Sequence, residues 1–294
     1  MFTLSAHKIQ PEARMKIGTI STQSNPYSLT FEDESGRFQL SQFPTLAEFL
    51  ATSLSELRES INSAERIAIG TQAWGAPIAA GTEIWGAGVT YLRSRDARID
   101  ESSTPDVYAK VYDAERPELF LKGTASRTVG TLGSIGIRFD AASSIPEPEL
   151  ALVINSHGEC VGLTICNDVT ARSIEGENPL YLSQAKIYRG STALGPYITP
   201  IWEIEDHSKI QIDARIERGK ENIWEASTSF GQLRRTFDEL IGFLFRCQDF
   251  PEGVILSTGT GIIPPDHVHL QQGDVVTMSA THLGTLENRV QLMK

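Results

Sequence analysis

The sequence predicts a β-rich α+β protein in which a small N-terminal α+β domain, residues 1–80, precedes a mixed β-roll or barrel-like domain, residues 81–294. From residue 81 onward, short segments with high β propensity alternate with glycine-rich turns, which is typical of sheets with short connections. Two segments combine a threonine N-cap with the apolar spacing of a helix. With 294 residues, 40% of them hydrophobic, the chain can bury a large core and form two structural units.

The predicted N-terminal domain contains three short strands and one helix. Turn residues and apolar patterns predict strands over residues 16–20, 28–32 and 38–40. The helix begins at Thr45, because the run from Thr45 to Glu48 has the form of a capping box. One apolar face then predicts a single continuous helix through Leu46, Phe49, Leu50, Leu54 and Leu57.

For the larger domain, the sequence predicts a series of strands interrupted by one well-capped helix. Its β-type segments cover residues 83–89, 151–155, 161–166, 211–217, 254–257 and 274–279. The helix is capped by Thr236 with Glu239 three positions later, and its apolar stripe is typical of a core-facing helix. His157-Gly158 predicts a hairpin turn between the second and third of these strands.

Composition excludes several classes of function. The 37 acidic and 26 basic residues give a formal net charge of -11, which argues against nucleic-acid binding. The chain lacks a run of about 18 apolar residues, which argues against a membrane span, and the start has no signal-peptide pattern. Three cysteines without CxxC spacing predict neither a disulfide framework nor a zinc site, so we expect a cytoplasmic protein.

Three carboxylates form the most informative pattern. Glu147 and Glu149 are two residues apart, so in a strand both side chains leave the same face. The predicted hairpin returns Asp168 beside them. Three carboxylates without a nearby histidine or cysteine cluster are ligands that suit Mg²⁺, with Mn²⁺ or Ca²⁺ as alternatives. The other interpretation is a solvated edge strand with two outward acids, blunted by proline.

Two further polar residues are candidates for proton transfer. Lys186 lies in a polar segment, residues 171–190, that is punctuated by apolar residues, as in a loop that covers a site, and its ammonium could pair with the carboxylates. Glu118 begins a strand-like run that ends at Lys122, and it could act as an acid or a base near the ion. An exposed lysine and a surface glutamate are the alternatives.

Two segments are candidates for binding an anion. The small-residue turn predicted after the strand at 254–257 contains Gly259 and Thr260, which could present N–H and hydroxyl groups to a carboxylate. Arg93 and Arg95 follow Tyr91 in an arginine-rich run, which fits either an anion site or a solvated helix start. With Tyr91 and Lys122, these residues make up the predicted substrate-binding set.

Together these residues resemble the fumarylacetoacetate hydrolase superfamily over most of residues 85–293. Five motifs carry the resemblance in order: Glu147-Pro-Glu149, Asn167-Asp-Val-Thr-Ala-Arg172, Gln184-Ala-Lys186, Ala193-Leu-Gly-Pro196 and Thr258-Gly-Thr-Gly261. The resemblance implies a mixed β-roll catalytic domain, a divalent ion held by the three carboxylates, and a Lys186 that faces the substrate. It also implies a homodimer or a dimer-based homo-oligomer.

One departure from the superfamily narrows the expected chemistry. Hydrolytic members place a water-activating His and Glu in a lid segment, where this chain has Ser94 and Ala97. Segments 90–95, 117–122 and 175–182 are instead similar to the 2-keto-3-deoxy-D-arabinonate dehydratase branch. That branch uses Mg²⁺ and makes 2,5-dioxopentanoate, so the resemblance implies a hydro-lyase acting on a 2-keto-3-deoxy sugar acid.

In the expected reaction Lys186 and Glu118 handle the protons, and which is the base stays open. Two other interpretations also stay open at this point. One is an acylpyruvate-type C–C hydrolase or an oxaloacetate-type decarboxylase on the same metal site. The other is a non-catalytic protein that binds a small 2-keto acid.

Overall fold

A computed structural model describes residues 14–22, 25, 27–101 and 110–294. The α-helices whose full extent lies in these residues are α1 (Leu46–Leu50), α2 (Leu54–Ser63), α3 (Leu92–Glu101), α4 (Arg172–Glu177), α5 (Leu182–Lys186) and α6 (Phe237–Leu244). Among the described residues, no helix has both the length and the apolar composition needed to cross a bilayer.

The strands of the first half are β1 (Lys16–Ile20), β2 (Ser28–Asp33), β3 (Gly36–Leu40), β4 (Arg66–Ala68), β5 (Glu83–Gly88), β6 (Glu118–Thr124), β7 (Thr128–Val129) and β8 (Ser134–Arg138). Those of the second half are β9 (Pro148–Ile154), β10 (Cys160–Asp168), β11 (Thr192–Pro200), β12 (Gln211–Arg218), β13 (Glu221–Ser229), β14 (Val254–Thr260), β15 (Val275–Ala280) and β16 (Gly284–Met293).

These strands form two mixed sheets. The large sheet has the order β4-β3-β2-β1-β11-β10-β9-β14-β5-β6, with β7 also paired to β11. The second sheet has the order β13-β12-β15-β16-β8. The pairs β14 with β5, β11 with β7 and β16 with β8 are parallel, and the other strand pairs are antiparallel. Within the described residues neither sheet closes into a barrel, so the predicted β-rich α+β class is confirmed as an open mixed roll.

The N-terminal strands extend the large sheet. β1 pairs with β11 through Ile17 and Ile198, and the apolar side chains of β1–β3, α1 and α2 share one core with Val153 and Val161. Strand pairing and apolar burial therefore join the described residues before position 80 to the rest of the fold. The domain boundary near residue 80 stays a prediction.

The predicted single helix after Thr45 is wrong, because the structure breaks it into α1 and α2. Thr45 caps α1 with a capping box to Glu48, as predicted. Ser53 then forms a second capping box with Glu56, in which each residue accepts a hydrogen bond from the other's backbone N–H. These two caps satisfy N–H groups that a new helix start would otherwise leave without acceptors, so a turn separates the helices.

The side-chain alternation of β9 determines where the functional groups lie. Leu150 and Leu152 point into the main core, between the two sheets, where they pack with apolar residues of β12 and β15. Ala151 belongs to a separate apolar cluster on the other face, with Cys166 and others. Since alternate residues of a strand share a face, Glu149 lies on the Ala151 face, at the end of the strand.

Candidate metal centre and active site

A single hairpin brings the three carboxylates together. β9 and β10 pair antiparallel with Glu149 opposite Cys166, and the Asp168 N–H donates to the Glu147 carbonyl at 3.0 Å. One oxygen of each of Glu147, Glu149 and Asp168 lies within 4.8 Å of the others, and all three residues are buried. The predicted convergence is confirmed. The alternative of a solvated edge strand is wrong, because β9 lies between β10 and β14.

These three residues fit a divalent cation. Carboxylates buried together repel one another and lack solvating water. Burial and the neighbouring Asp168 and Glu147 raise the pKa of Glu149 to about 8. An all-oxygen, anionic donor set is the kind that hard cations such as Mg²⁺ select, and a bound cation would remove this repulsion. The protein therefore has a buried acidic triad that can hold a divalent cation.

The end of β14 orients Glu149. Its Oε2 atom accepts hydrogen bonds from the Ser257 hydroxyl and from the Gly259 N–H, the latter at 3.0 Å. Gly259 has a φ of +91°, and a Cβ there would lie 2.0 Å from Thr90 Oγ1, so only glycine fits. The predicted turn here is instead the last part of a strand. The Gly259 N–H that we expected to face a substrate carboxylate donates to Glu149.

Lys186 lies within the acidic centre. Its ammonium donates to Glu147 Oε2, to Asp168 Oδ2 at 2.9 Å and to Thr170 Oγ1 at 2.6 Å. The side chain is buried, and the Phe120 ring centroid is 5.7 Å from Nζ. The alternative of an exposed lysine is therefore wrong. A compact cation that touches two metal-binding carboxylates is well placed for a ligand bound between them.

Lys122 is fully buried behind Asp168. Its ammonium donates to the Lys186 carbonyl and to the Ser191 carbonyl at 2.7 Å, and Nζ lies 3.1 Å from Asp168 Oδ1. Burial lowers the pKa of Lys122, although the Asp168 carboxylate opposes this shift. All of these contacts are within the protein. The geometry accordingly favours a role in holding Asp168 and the end of α5, and the substrate-binding role expected for Lys122 stays a prediction.

Two charged residues that are absent from the predicted site residues complete the centre. Arg172 Nη1 lies 3.4 Å from Glu147 Oε1 and 2.9 Å from Glu175 Oε2. Glu175 Oε1 lies 3.7 Å from Lys186 Nζ, and both residues are buried. Their spacing of three residues at the start of α4, directly after Asp168, is a signal that could have identified them as neighbours.

Glu118 lies on the same sheet face as the triad, at its rim. It pairs with Gly88, and a Cβ on Gly88 would lie 2.1 Å from Glu118 Oε2, so the glycine makes room for the carboxylate. β6 is three strands away from β9 in the sheet order. Farther along β6, however, Lys122 reaches Asp168, so the later part of this strand lies beside the centre. Glu118 is half-buried and does not belong to the metal-binding triad.

Tyr91 is a predicted substrate-binding residue that is buried near Glu149. Its hydroxyl has no hydrogen-bond partner among the described residues. Burial and the Glu149 carboxylate raise the pKa of Tyr91, so the phenol stays protonated and can donate to a ligand. Ser94 stands where hydrolases carry the histidine, and its hydroxyl donates to the Tyr91 carbonyl at 2.9 Å.

Of the remaining three predicted substrate-binding residues, Thr260 lies beside the triad, opposite Glu149 in the pairing of β14 with β9, and the two arginines belong to α3. Arg93 is an exposed residue of α3. Arg95 pairs with Asp96 at 2.7 Å. The Thr260 hydroxyl is used in a local turn, where it donates to the Ile262 carbonyl at 3.0 Å. Their roles with substrate stay predictions.

The sequence also matches a known family. Residues 84–291 match the model of the fumarylacetoacetate hydrolase C-terminal family. The chain belongs to this family. It is 45% identical over 203 residues to a probable 2-keto-3-deoxyxylonate dehydratase of Haloferax volcanii, covering 69% of this chain and 70% of that protein. It is 41% identical over 203 residues to the 2-dehydro-3-deoxy-D-arabinonate dehydratase of Saccharolobus solfataricus, covering 68% of each.

A solved structure has the same fold. It is a 2-keto-3-deoxy-D-arabinonate dehydratase complexed with magnesium and 2,5-dioxopentanoate, with a TM-score of 0.78 and 31% identity. The match covers 95% of this chain and 99% of that one. The similarity therefore extends through the N-terminal strands as well as the family domain.

Proposed function

We propose that the protein is a Mg²⁺-dependent hydro-lyase that dehydrates a 2-keto-3-deoxy sugar acid. The specific reaction is conversion of 2-keto-3-deoxy-D-arabinonate, or a related pentonate, to 2,5-dioxopentanoate and water. The observation that carries the proposal is the buried triad of Glu147, Glu149 and Asp168 with the Lys186 ammonium against it. The names of the two relatives and the ligands of the similar structure support the substrate class.

The reaction removes a proton from C3 and the hydroxyl group from C4, which leaves a C3–C4 double bond conjugated to the 2-keto group. A proton then leaves C5 and another adds to C3, which gives an enol with a C4–C5 double bond. Addition of a proton to C4 and loss of the proton from the C5 hydroxyl convert this enol to the aldehyde. The protein must therefore move protons at C3 and C5 and stabilise negative charge that develops on the C2 oxygen.

A divalent cation on the triad would supply Lewis-acid polarisation of the 2-keto group, which makes the C3 protons more acidic. Lys186 supplies fixed positive charge at the same place, since its Nζ contacts both Glu147 and Asp168. In this proposal Lys186 handles the C3 proton or the charge that it leaves. The buried surroundings exclude bulk water and strengthen these interactions.

Glu118 is the proposed acid that protonates the C4 hydroxyl group as it leaves. It lies on the same face as the triad but at the rim, where a substrate several carbons long would extend. Departure of the hydroxyl requires a proton, which Glu118 can provide directly or through a water molecule. Tyr91, Thr260 and the arginines of α3 are the proposed contacts with the rest of the substrate.

Product analysis by liquid chromatography tests the proposal. Purified protein with Mg²⁺ should convert 2-keto-3-deoxypentonate to 2,5-dioxopentanoate, and EDTA or Glu147→Gln should abolish this conversion. Glu159→Gln, which changes an acid in the β9–β10 turn outside the centre, is the control and should retain it. Cleavage of an acylpyruvate without any dehydration would instead assign a hydrolase, and metal-dependent binding without product would assign a binding protein.

We also propose a cytoplasmic homodimer or dimer-based oligomer. Cys160, Cys166 and Cys247 are free thiols, as is usual in a reducing compartment. Leu132 and Phe139 flank β8, the outer strand of the second sheet, and they are 71% and 67% exposed, which supports a protein contact there. Light scattering of the purified protein and of Leu132→Ser tests the oligomer, and cell fractionation tests the compartment.

A further inference from the structure

The ionisable side chains around the triad form one connected group, which we call the buried charge cluster. Its members are linked by ion pairs or by the short distances between the carboxylate oxygens of the triad, and all of them are buried. They are Glu147, Glu149, Asp168, Glu175, Lys122, Lys186 and Arg172. Glu175 is the acid of this cluster that lies outside the triad.

The contacts of the two lysines require their charged forms. The Lys122 ammonium points at two carbonyl oxygens and at the Asp168 carboxylate. The Lys186 ammonium points at two carboxylates and at the hydroxyl oxygen of Thr170. This hydroxyl already donates its own hydrogen to the Asp168 carbonyl, so towards Lys186 it can only accept. An ammonium has three donors and no acceptor, so these acceptors match it. Arginine is always charged in proteins.

The cluster therefore has four acids and three bases, with a net charge of minus one when every group is ionised. A divalent cation brings the net charge to plus one. One bound monoanion then makes the buried complex neutral, whereas a dianion leaves it with a surplus negative charge. Charge imbalance costs more in a buried site than in water, because the effective dielectric constant is lower.

We infer that Glu175 is a specificity-determining residue that restricts the metal-loaded centre to monoanionic 2-keto acids. It acts through Arg172 and Lys186, whose charges it partly offsets at 2.9 and 3.7 Å. Without Glu175, the loaded centre would carry a net charge of plus two and would match a dianion. The inference rests on the proposed metal centre and function, and it names the charge class of the substrate.

Calorimetric binding of two small chelating anions tests the inference without requiring turnover. Pyruvate is a monoanion and oxalate is a dianion, and each can present a carboxylate and an adjacent oxygen to a cation. In saturating Mg²⁺, Glu175→Gln should raise the ratio of oxalate to pyruvate affinity about tenfold over the wild type. Glu175→Asp keeps the charge and should leave the ratio near its wild-type value.

Two further variants separate charge from damage to the fold. Arg172→Gln removes a positive charge and should shift the ratio in the opposite direction, towards pyruvate. Glu177→Gln changes an exposed acid of the same helix and should have no effect. A ratio unchanged in both Glu175→Gln and Arg172→Gln, or an equal shift in Glu177→Gln, would overturn the inference.

The binding measurements and the dehydration assay can fail independently of each other. If wild-type protein dehydrates none of a panel of 2-keto-3-deoxy acids, the proposed function fails, yet the two affinities still report the charge preference. If dehydration occurs, Glu175→Gln should also gain relative kcat/KM for a 2-keto-3-deoxy dicarboxylate, which carries the second negative charge. A merely structural defect would lower the values for both substrates alike.

Discussion

Replacement of Gly259 by alanine should both destabilise the fold and weaken the metal centre. The added Cβ would lie 2.0 Å from Thr90 Oγ1 and 2.8 Å from the Ala87 carbonyl oxygen. Thr90 cannot simply rotate away, because it is buried and its hydroxyl donates to the Thr258 carbonyl at 2.6 Å. The φ of +91° is also unfavourable for any residue with a side chain.

These two effects set the expected magnitude for Gly259→Ala. Backbone strain contributes about 1–2 kcal/mol, and overpacking of a close-packed site about 1–3 kcal/mol. The free energy of unfolding should fall by about 2–5 kcal/mol, which lowers Tm by about 5–15 °C in a protein of this size. The Gly259 N–H would also shift away from Glu149, which should weaken Mn²⁺ binding about 10- to 100-fold.

Thermal unfolding in EDTA and Mn²⁺ titration by calorimetry measure the two effects separately. Gly219 is the matched control, because it has a φ of +66° but no atom within 4 Å of an added Cβ. Gly219→Ala should show the strain alone, about 1–2 kcal/mol, with unchanged Mn²⁺ affinity. The reasoning is refuted if Gly259→Ala has the same Tm as Gly219→Ala and binds Mn²⁺ with the affinity of the wild type.

Three other substitutions have defined outcomes. Ser257→Ala removes a donor to Glu149 and should reduce Mn²⁺ affinity about 10- to 100-fold by calorimetry; unchanged affinity would contradict this. Lys186→Met should lower the proposed dehydration rate by a factor of about 10²–10⁴, and a loss below tenfold would exclude a proton-transfer role. Hydrogen bonds from the Asn155 side-chain amide and the Leu54 N–H lower the pKa of Glu159. Its ionised form therefore stabilises the fold above its unfolded pKa, and this contribution is lost as pH falls through the folded pKa. In urea unfolding, the deficit of Glu159→Gln at neutral pH should therefore shrink in acid, whereas a constant deficit would disprove the linkage.

Much of the metal centre could be predicted from the sequence because it is local. The spacing of Glu147 and Glu149 places both on one face of any strand, and the hairpin to Asp168 spans few residues. Strand and turn patterns of this kind depend on neighbouring residues, which the sequence displays directly. The N-cap of α1 was predictable for the same reason, whereas its early end depended on the competing cap at Ser53.

Contacts between distant segments could not be predicted in this way. Lys122 of β6 reaches Asp168 of β10 across a separation of 46 residues, although four strand steps divide β6 from β10 in the sheet order. Gly259 donates to Glu149 across a separation of 110 residues. The sequence identified Gly259 as a group for binding a carboxylate, but the carboxylate that it binds in the structure belongs to the protein.

By itself, then, the sequence determined the β-rich α+β class, the three carboxylates of the centre and the candidate Lys186, and the structure showed that the sheets are open. The tertiary structure decided which cations surround them, that Glu118 lies at the rim, and that Arg172 and Glu175 join the same buried cluster. The physical reason is that periodicity and capping act over a few residues, whereas the charge balance of a buried site depends on side chains from several strands and helices that packing brings together.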